Sequence, residues 1–194
     1  MLRQAQQPPR PYTKPMEPLK LDKTQFEQIV KNHHLLVFRT AMGFVHTREE
    51  AEDITQDVFL RAYKSIESFR GDSSISTWLY RITVNVSLNH IAQKKRNIIF
   101  QYGNHVLKQL FDRQEKAQTP LQKLELSDRE RIIQKAINDL PEKQRIAFVL
   151  SRYNDLPQKE VAIIMEITEG AVEQLLQRAK VKLQKSLKNF VGNI

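Results

Sequence analysis

The stretch "ITEGAVEQLLQRAKVKL", Ile167–Leu183, decides how the C-terminal part of this chain is read. On a helical wheel of about 100° per residue, Val172, Leu176, Ala179 and Leu183 share one arc, with Leu175 on its flank. Gly170, Glu173, Gln174, Gln177 and Arg178 fall on the other side. Thr168 suits the N-cap, and Glu169 in the first turn suits the positive end of the helix dipole. Upstream, "PQKEVAIIMEIT" predicts a short helix with Val161, Ala162 and Met165 inward. Ala162 is small enough to let a second helix cross closely, as a helix-turn-helix requires. A pair of ordinary core helices has the same pattern. Glu169 and Glu173 would repel phosphate, whereas Lys180, Lys182, Lys185 and Lys188 would attract it or form a solvated face.

The totals narrow the choice. A chain of 194 residues, 40% hydrophobic, builds one medium domain or two small ones. It has no cysteine, hence no disulfide framework and no thiolate metal site, which points to a reducing compartment. No apolar run reaches the roughly 18 residues of a membrane span, and the start "MLRQAQQPPRPYTKPMEPLK" has no apolar segment of the secretory type. A cytoplasmic location is the expectation. The net charge of +9 favours a polyanionic partner, usually nucleic acid. Five glycines and long Leu/Ile/Val/Ala periodicities predict an all-α chain.

Residues 1–20 carry five of the eight prolines and form an expected disordered tail. Residues 21–96 are expected to form the first helical domain. Its predicted helices are Thr24–Met42, with Thr24 as N-cap and Glu27 at the capping-box position, then Thr47–Ser68 and Thr77–Lys95. The one strong break is "FRGDSSIST", Phe69–Thr77. Residues 97–126 are expected to be a flexible linker, and 127–194 a second helical domain. There Ser127 suits a cap for a helix to Asn138, while Pro141 and Pro157 suit helix starts.

Within the first domain, Ala51, Ile54, Val58 and Ala62 form an inward arc. Opposite lie Glu49, Asp53, Gln56 and Asp57, with Leu60 in their midst. A lone exposed leucine is ordinary, but an apolar centre ringed by acids is also the pattern of a protein-binding helix. The next helix carries Arg81, Asn85 and Asn89 at i, i+4 and i+8. Asparagine is a poor interior helix former, so two on one face call for another use. Their amides can donate to and accept from base edges, and Arg81 can pair with phosphate; interface asparagines with their bonds satisfied are the alternative. Trp78 is expected in the core, and "KKR", Lys94–Arg96, is expected to close the helix with three positive charges.

The wording of two blocks is familiar. "AINDLPEKQRIAFVLSRYNDLPQKEVAIIMEITEGAVEQLLQRAKVKL" resembles region 4 of the extracytoplasmic-function (ECF) sigma factors. "EEAEDITQDVFLRAYKSIESFRGDSSISTWLYRITVNVSLNHI" resembles region 2 of the same family. The resemblance implies a region 2 helical bundle and a region 4 helix-turn-helix joined by a flexible linker. It implies an alternative sigma factor that binds core RNA polymerase, recognises minus-35 and minus-10 elements, and promotes DNA melting.

Carried over, Asp53, Gln56, Asp57 and Leu60 dock on polymerase. Asn85 and Asn89 contact the minus-10 strand, Ser73 and Ser74 line a base pocket, and Arg81, Lys94, Lys95 and Arg96 contact the backbone. Glu173, Gln174, Gln177, Arg178 and Lys180 meet the minus-35 duplex. Many relatives carry basic residues where Glu173 and Leu175 stand, so part of the usual phosphate grip is missing here. The implied partners are core polymerase, promoter DNA (duplex and melted non-template strand) and an anti-sigma factor. No cofactor, metal or catalytic residue is expected. The five histidines (His33, His34, His46, His90, His105) have no metal-like spacing, and no phosphate loop or nucleophile motif is present. A stand-alone helix-turn-helix regulator and a helical adaptor are the competing readings.

Overall fold

The computed structural model describes residues 22–69, 71–111 and 128–191. Seven helices occur among them, and no strand: α1 (Lys23–Val45), α2 (Arg48–Ser65), α3 (Ile75–Phe111), α4 (Asp128–Asn138), α5 (Glu142–Tyr153), α6 (Gln158–Met165) and α7 (Glu169–Val191). The Pro-rich tail, the Ser127 cap and residues 112–126 of the expected linker lie outside the described residues, whereas residues 97–111, expected to belong to that linker, continue α3. None of the described helices is long and apolar enough to cross a membrane.

Helices α1, α2 and α3 pack around one cluster that includes Val37, Ala41, Ile54, Val58 and Leu79. Ala51, Ile54, Val58 and Ala62, the predicted inward arc, are all fully buried there. Burying each larger aliphatic side chain contributes roughly 1.5–3 kcal/mol. Trp78 packs against this cluster as expected, with its ring 5.2 Å from Phe69. Helices α5, α6 and α7 supply Ala147, Val149, Leu150, Val161, Ala162 and Val172 to a second cluster. That cluster also takes in Phe44 of α1 and Tyr80 and Val84 of α3. The two helical units therefore share apolar packing along a seam. In α1, a Cβ added to Gly43 would stand 2.6 Å from Val149 Cγ1 and 3.0 Å from the Tyr153 ring, so only glycine permits this approach.

Several local expectations are corrected. Helix α1 begins at Lys23, and its N-cap is Asp22, not Thr24. The Asp22 carboxylate accepts from Gln25 N at 2.7 Å while the Gln25 side chain accepts from Asp22 N at 3.0 Å. An aspartate is the stronger cap, and its reciprocal partner lies three residues on, so the box forms there and leaves Thr24 and Glu27 inside the helix. Helix α2 ends at Ser65 and tightens into a 3-10 turn, Ile66–Ser68. Helix α3 starts two residues early and runs to Phe111, so "KKR" lies within a helix and does not close one. Nothing before Gly103 breaks it, and one glycine inside a helix costs only about 1 kcal/mol.

Pro141 and Pro157 stand at the N-cap positions of α5 and α6. Thr168 caps α7 as expected, its hydroxyl accepting from Ala171 N at 3.2 Å.

Candidate functional site

Helix α2 presents the acid-ringed face. Asp53 and Gln56 are exposed, Asp57 is half-buried, and Leu60 is 59% exposed. Asp57 accepts from Arg61 Nη2 at 3.1 Å, an i,i+4 pair that holds its carboxylate on the helix surface. Tyr63 extends the face by one further turn. It is 56% exposed and leans edge-on against Phe26, with centroids 5.0 Å apart. The sequence reading passed over Tyr63, although its spacing of three from Leu60 is the available signal. An exposed apolar centre of Leu60 and Tyr63 with polar neighbours has the composition of an interface core and rim.

Helix α3 carries the amide stripe. Asn85 and Asn89 are exposed, so their amides are not committed to the core. Ser74 is spent on local structure: its hydroxyl accepts from Thr77 N at 3.1 Å and lies 2.9 Å from Thr77 Oγ1. That is a helix cap, although a hydroxyl keeps further bonding capacity. Ser73 is half-buried beside it. Lys95 and Arg96 are exposed, whereas Lys94 donates to Glu50 Oε1 at 2.6 Å. Burial alone would raise the Glu50 pKa. Bonds from Lys94, His90 and Thr47 outweigh it and hold the carboxyl below its usual value.

Arg81 is the member of the stripe whose surroundings differ most from expectation. Its Nη2 donates to the Ile163 carbonyl at 2.7 Å, its Nε to the Ile164 carbonyl at 3.3 Å, and Nη1 lies 3.1 Å from Glu166 Oε1. All three partners belong to α6 or its C-cap, on the second helical unit. Arg81 and Asn85 line one side of an open cleft of about 320 Å³, with Ile164, Glu166 and Ile167 on the other.

The α6–turn–α7 pair has the expected helix-turn-helix arrangement. Val172 and Ala179 are fully buried, and Leu175, Leu176 and Leu183 are partly so. Glu173, Gln177 and Lys180 line one groove of about 780 Å³. Gln174 and Arg178 are exposed but lie outside that groove. Lys188 of α7, one of the lysines expected to attract phosphate, joins the groove, as do Arg152 of α5 and Gln158 at the start of α6, which the sequence reading missed. Their signal was weak because each lies on a different part of the fold. Lys182 donates to the Asp139 carbonyl at 2.6 Å and so ties α7 to the α4–α5 turn instead of pointing a free charge outward.

The described helices present an exposed apolar patch with polar neighbours, an amide stripe with flanking cations, and a groove with mixed amide and charged groups. Among the described residues no group of three or more His, Asp or Glu side chains could hold a metal ion.

Comparison with known proteins agrees with this layout. Residues 29–97 match the family model for sigma-70 region 2, and residues 130–183 match that for sigma-70 region 4. The RNA polymerase sigma-H factor of Pseudomonas aeruginosa is 34% identical over 99 residues, covering 46% of this chain and 51% of that protein. The ECF RNA polymerase sigma-E factor of Haemophilus influenzae is 40% identical over 75 residues, covering 39% of each. These alignments thus span about half, or less, of the curated relatives' length. Among solved structures, CnrH in complex with the cytosolic domain of CnrY aligns with TM-score 0.59 and 20% identity, covering 87% of this chain and 90% of that one. At that identity the likeness concerns the fold. The sigma factor RpoE of Bartonella quintana, solved with the anti-sigma factor NepR, aligns with TM-score 0.55 and 25% identity, covering 85% and 98%. With both regions present, in order, and together spanning more than half of its length, this chain belongs to the sigma-70 family and is a sigma factor of the ECF type.

Proposed function

We propose that the chain acts as an alternative sigma factor: it binds core RNA polymerase, directs it to a promoter with minus-35 and minus-10 elements, and assists strand opening. The observation that carries the reading is the order of three surfaces on one chain. An acid-ringed apolar face on α2 comes first, an amide stripe on α3 follows, and a helix-turn-helix ends the series. A stand-alone duplex reader needs only the last of these.

In this reading Asp53, Gln56, Asp57 and Leu60 dock on polymerase, with Tyr63 extending the patch. The docked α3 then offers Asn85 and Asn89 to bases already out of the stack, whose Watson–Crick edges suit short amides. Ser73 and Ser74 stand beside that strand, and Arg81, Lys94, Lys95 and Arg96 hold its backbone. The α7 face takes the minus-35 duplex through Gln174, Gln177, Arg178 and Lys180, with amides directed at base edges. Glu173 accepts from a cytosine amine in the same groove or weakens the grip. Joining the two units in one chain raises the effective concentration of the second once the first is bound. The catalytic centre belongs to polymerase, so the protein itself is a regulator that needs no cofactor. Its place of action is the cytoplasm, and its regulator is an anti-sigma factor, in line with the complex in which RpoE was solved.

The test is reconstitution. The purified chain, added to core polymerase and a fragmented genomic template, should give transcripts whose start sites share two upstream elements at fixed spacing. Start sites that do not depend on the chain, or palindromic duplex binding by the chain alone, would overturn the reading.

A further inference from the structure

Helix α3 contains no aspartate or glutamate from Ile75 to Phe111, although it carries Arg81, Lys94, Lys95 and Arg96. Every other helix of the chain carries at least one carboxylate. A long helix of one charge sign suits a polyanion. On this helix stands Phe100, which at 71% exposure is the most exposed large apolar side chain among the described residues. It packs into neither apolar cluster. Single exposed apolar residues are ordinary, so exposure alone decides nothing. Its place on the helix does.

At about 100° per residue, Arg81, Asn85, Asn89, Arg96 and Phe100 fall within one arc of about 100°. Ala92 lies on the same arc and is exposed, and its small side chain lets a ligand lie close along the helix. Ile98, 42% exposed, points to the opposite side. From Asn89 to Phe100 the helix advances about 16 Å, at about 1.5 Å per residue. One strand of stacked DNA covers that length with about five nucleotides, at about 3.4 Å each. The amide stripe therefore ends in an aromatic ring, with the exposed Arg96 guanidinium one turn before it. A cation for phosphate beside a ring for a base is the pairing that holds single strands.

We propose that Phe100 is a stacking platform for an unpaired base of promoter DNA, at the far end of the stripe that begins with Asn85 and Asn89. This rests on the reading of those asparagines as strand-contacting residues. In closed duplex the base faces are covered by their neighbours, so a ring on a convex helix has nothing to stack on. A melted strand exposes those faces, and stacking accepts any base because each has a π-face. The surroundings favour nucleic acid over a protein partner. The exposed side chains three and four positions back are Asn97 and Arg96, whereas the centre of a protein interface is depleted in charge. Leu60 and Tyr63 on α2 show the contrasting pattern of two exposed apolar groups side by side.

The test uses holoenzyme made from the full chain and core polymerase, with two probes from a promoter that depends on the chain. One is a forked duplex with a single-stranded non-template arm, and the other is the same duplex kept closed in the cold. Phe100→Leu keeps apolar bulk and helix propensity but removes the ring. It should weaken binding of the forked probe about tenfold and leave binding of the closed duplex unchanged. Its slope of log affinity against log salt should also be unchanged, since no charge is lost. Phe100→Tyr, which keeps the ring, and Ile98→Ala, on the opposite side, should both bind the forked probe as the wild type does. Affinity for core polymerase should be the same in all three variants.

Undiminished binding of the forked probe by the Phe100→Leu holoenzyme would overturn the proposal, as would a Phe100→Tyr variant that loses as much as Phe100→Leu. An equal loss on the closed duplex would make Phe100 a duplex contact, and a loss of core polymerase affinity would make it a protein contact. Either result would overturn the stacking role. Polymerase-dependent transcription by the wild-type chain, measured on the same promoter, tests the sigma-factor reading by itself. A failure there is distinct from equality among the variants.

Discussion

Asp57 and Leu60 differ from Ala51 or Val58 only in the direction in which a common helix points them, and that direction is settled by the 3.6-residue period alone. Both stand clear of the core, and the Asp57–Arg61 pair is a surface i,i+4 bridge of the kind that contributes about 0.3–0.5 kcal/mol. Replacing Asp57 with Lys and Leu60 with Ser should therefore leave the helical circular dichroism intact and weaken core polymerase binding at least about tenfold. Normal polymerase affinity in the double variant would refute the docking role. Thr168→Ala tests a structural residue on the same scale. Loss of its cap should cost about 1 kcal/mol and lower the melting temperature by roughly 2–4 °C. Exposure and capping at Leu60, Asn85 and Thr168 were legible in the sequence because each depends on neighbours within four positions. The partner of Arg81 was not: nothing within four positions of the arginine points to Glu166, which only the fold brings beside the guanidinium.

Helix α3 is the element that departs furthest from expectation, and the consequence is functional. A helix ending at Lys95 would place "KKR" at a frayed terminus near the negative end of the dipole. A helix that continues to Phe111 presents Lys95 and Arg96 as fixed surface groups, while Lys94 is tied to Glu50. If Arg96 meets one phosphate, Arg96→Ala should weaken promoter binding evenly across sequences and reduce the slope of log affinity against log salt by about one. An unchanged slope would remove Arg96 from the interface. The amide stripe makes the complementary prediction. Asn85→Ala with Asn89→Ala should spare polymerase binding but reduce permanganate reactivity of the minus-10 thymines severalfold, since the exposed amides carry no core packing. Undiminished reactivity would return both residues to the status of surface amides. The early start of α3 and the shift of the α1 cap from Thr24 to Asp22 have one cause. Several Ser, Thr and Asp residues compete for each terminus, and reciprocal bonding geometry decides among them.

At the scale of the whole molecule, the seam gives stability a pH dependence. His46 is buried, which lowers its pKa below the ordinary imidazole value of 6.5. Arg145 of α5 acts in the same direction, while a hydrogen bond from the ring to the Asn138 side chain of α4 and the charge of Glu50 of α2 act against it. Its Nε2 has no hydrogen-bond partner among the described residues, and the Tyr153 ring lies alongside. The folded chain thus favours the neutral ring, and the unfolded chain binds the proton more readily. The His46 contribution is whole above about pH 6.5 and is lost as the pH falls through the lowered value. Glu50, held below the ordinary 4.5, gives way only in a more acidic range, so the two effects separate. Lowering the pH from about 7.5 to about 5.5 should lower the melting temperature, and His46→Asn, which tolerates the left-handed backbone, should flatten that response. An unaltered response in His46→Asn would assign it to another group.

The sequence by itself determined the all-helical class, the inward arcs of α2 and α7, the helix-turn-helix and the order of the two sigma regions. Helical periodicity, proline placement and capping are local, so one strand of text carries them in full. Only the tertiary structure decided that Glu50 would hold Lys94, that Lys182 would tie α7 to Asp139, and that Glu166 would hold Arg81. These pairs join residues far apart in the chain. Each member taken alone looks like an exposed charge, and the partner is selected by how the helices dock. Gly43 shows the difference most plainly: in the sequence it is a weak point in a helix, and in the fold it is the gap that lets α5 reach α1.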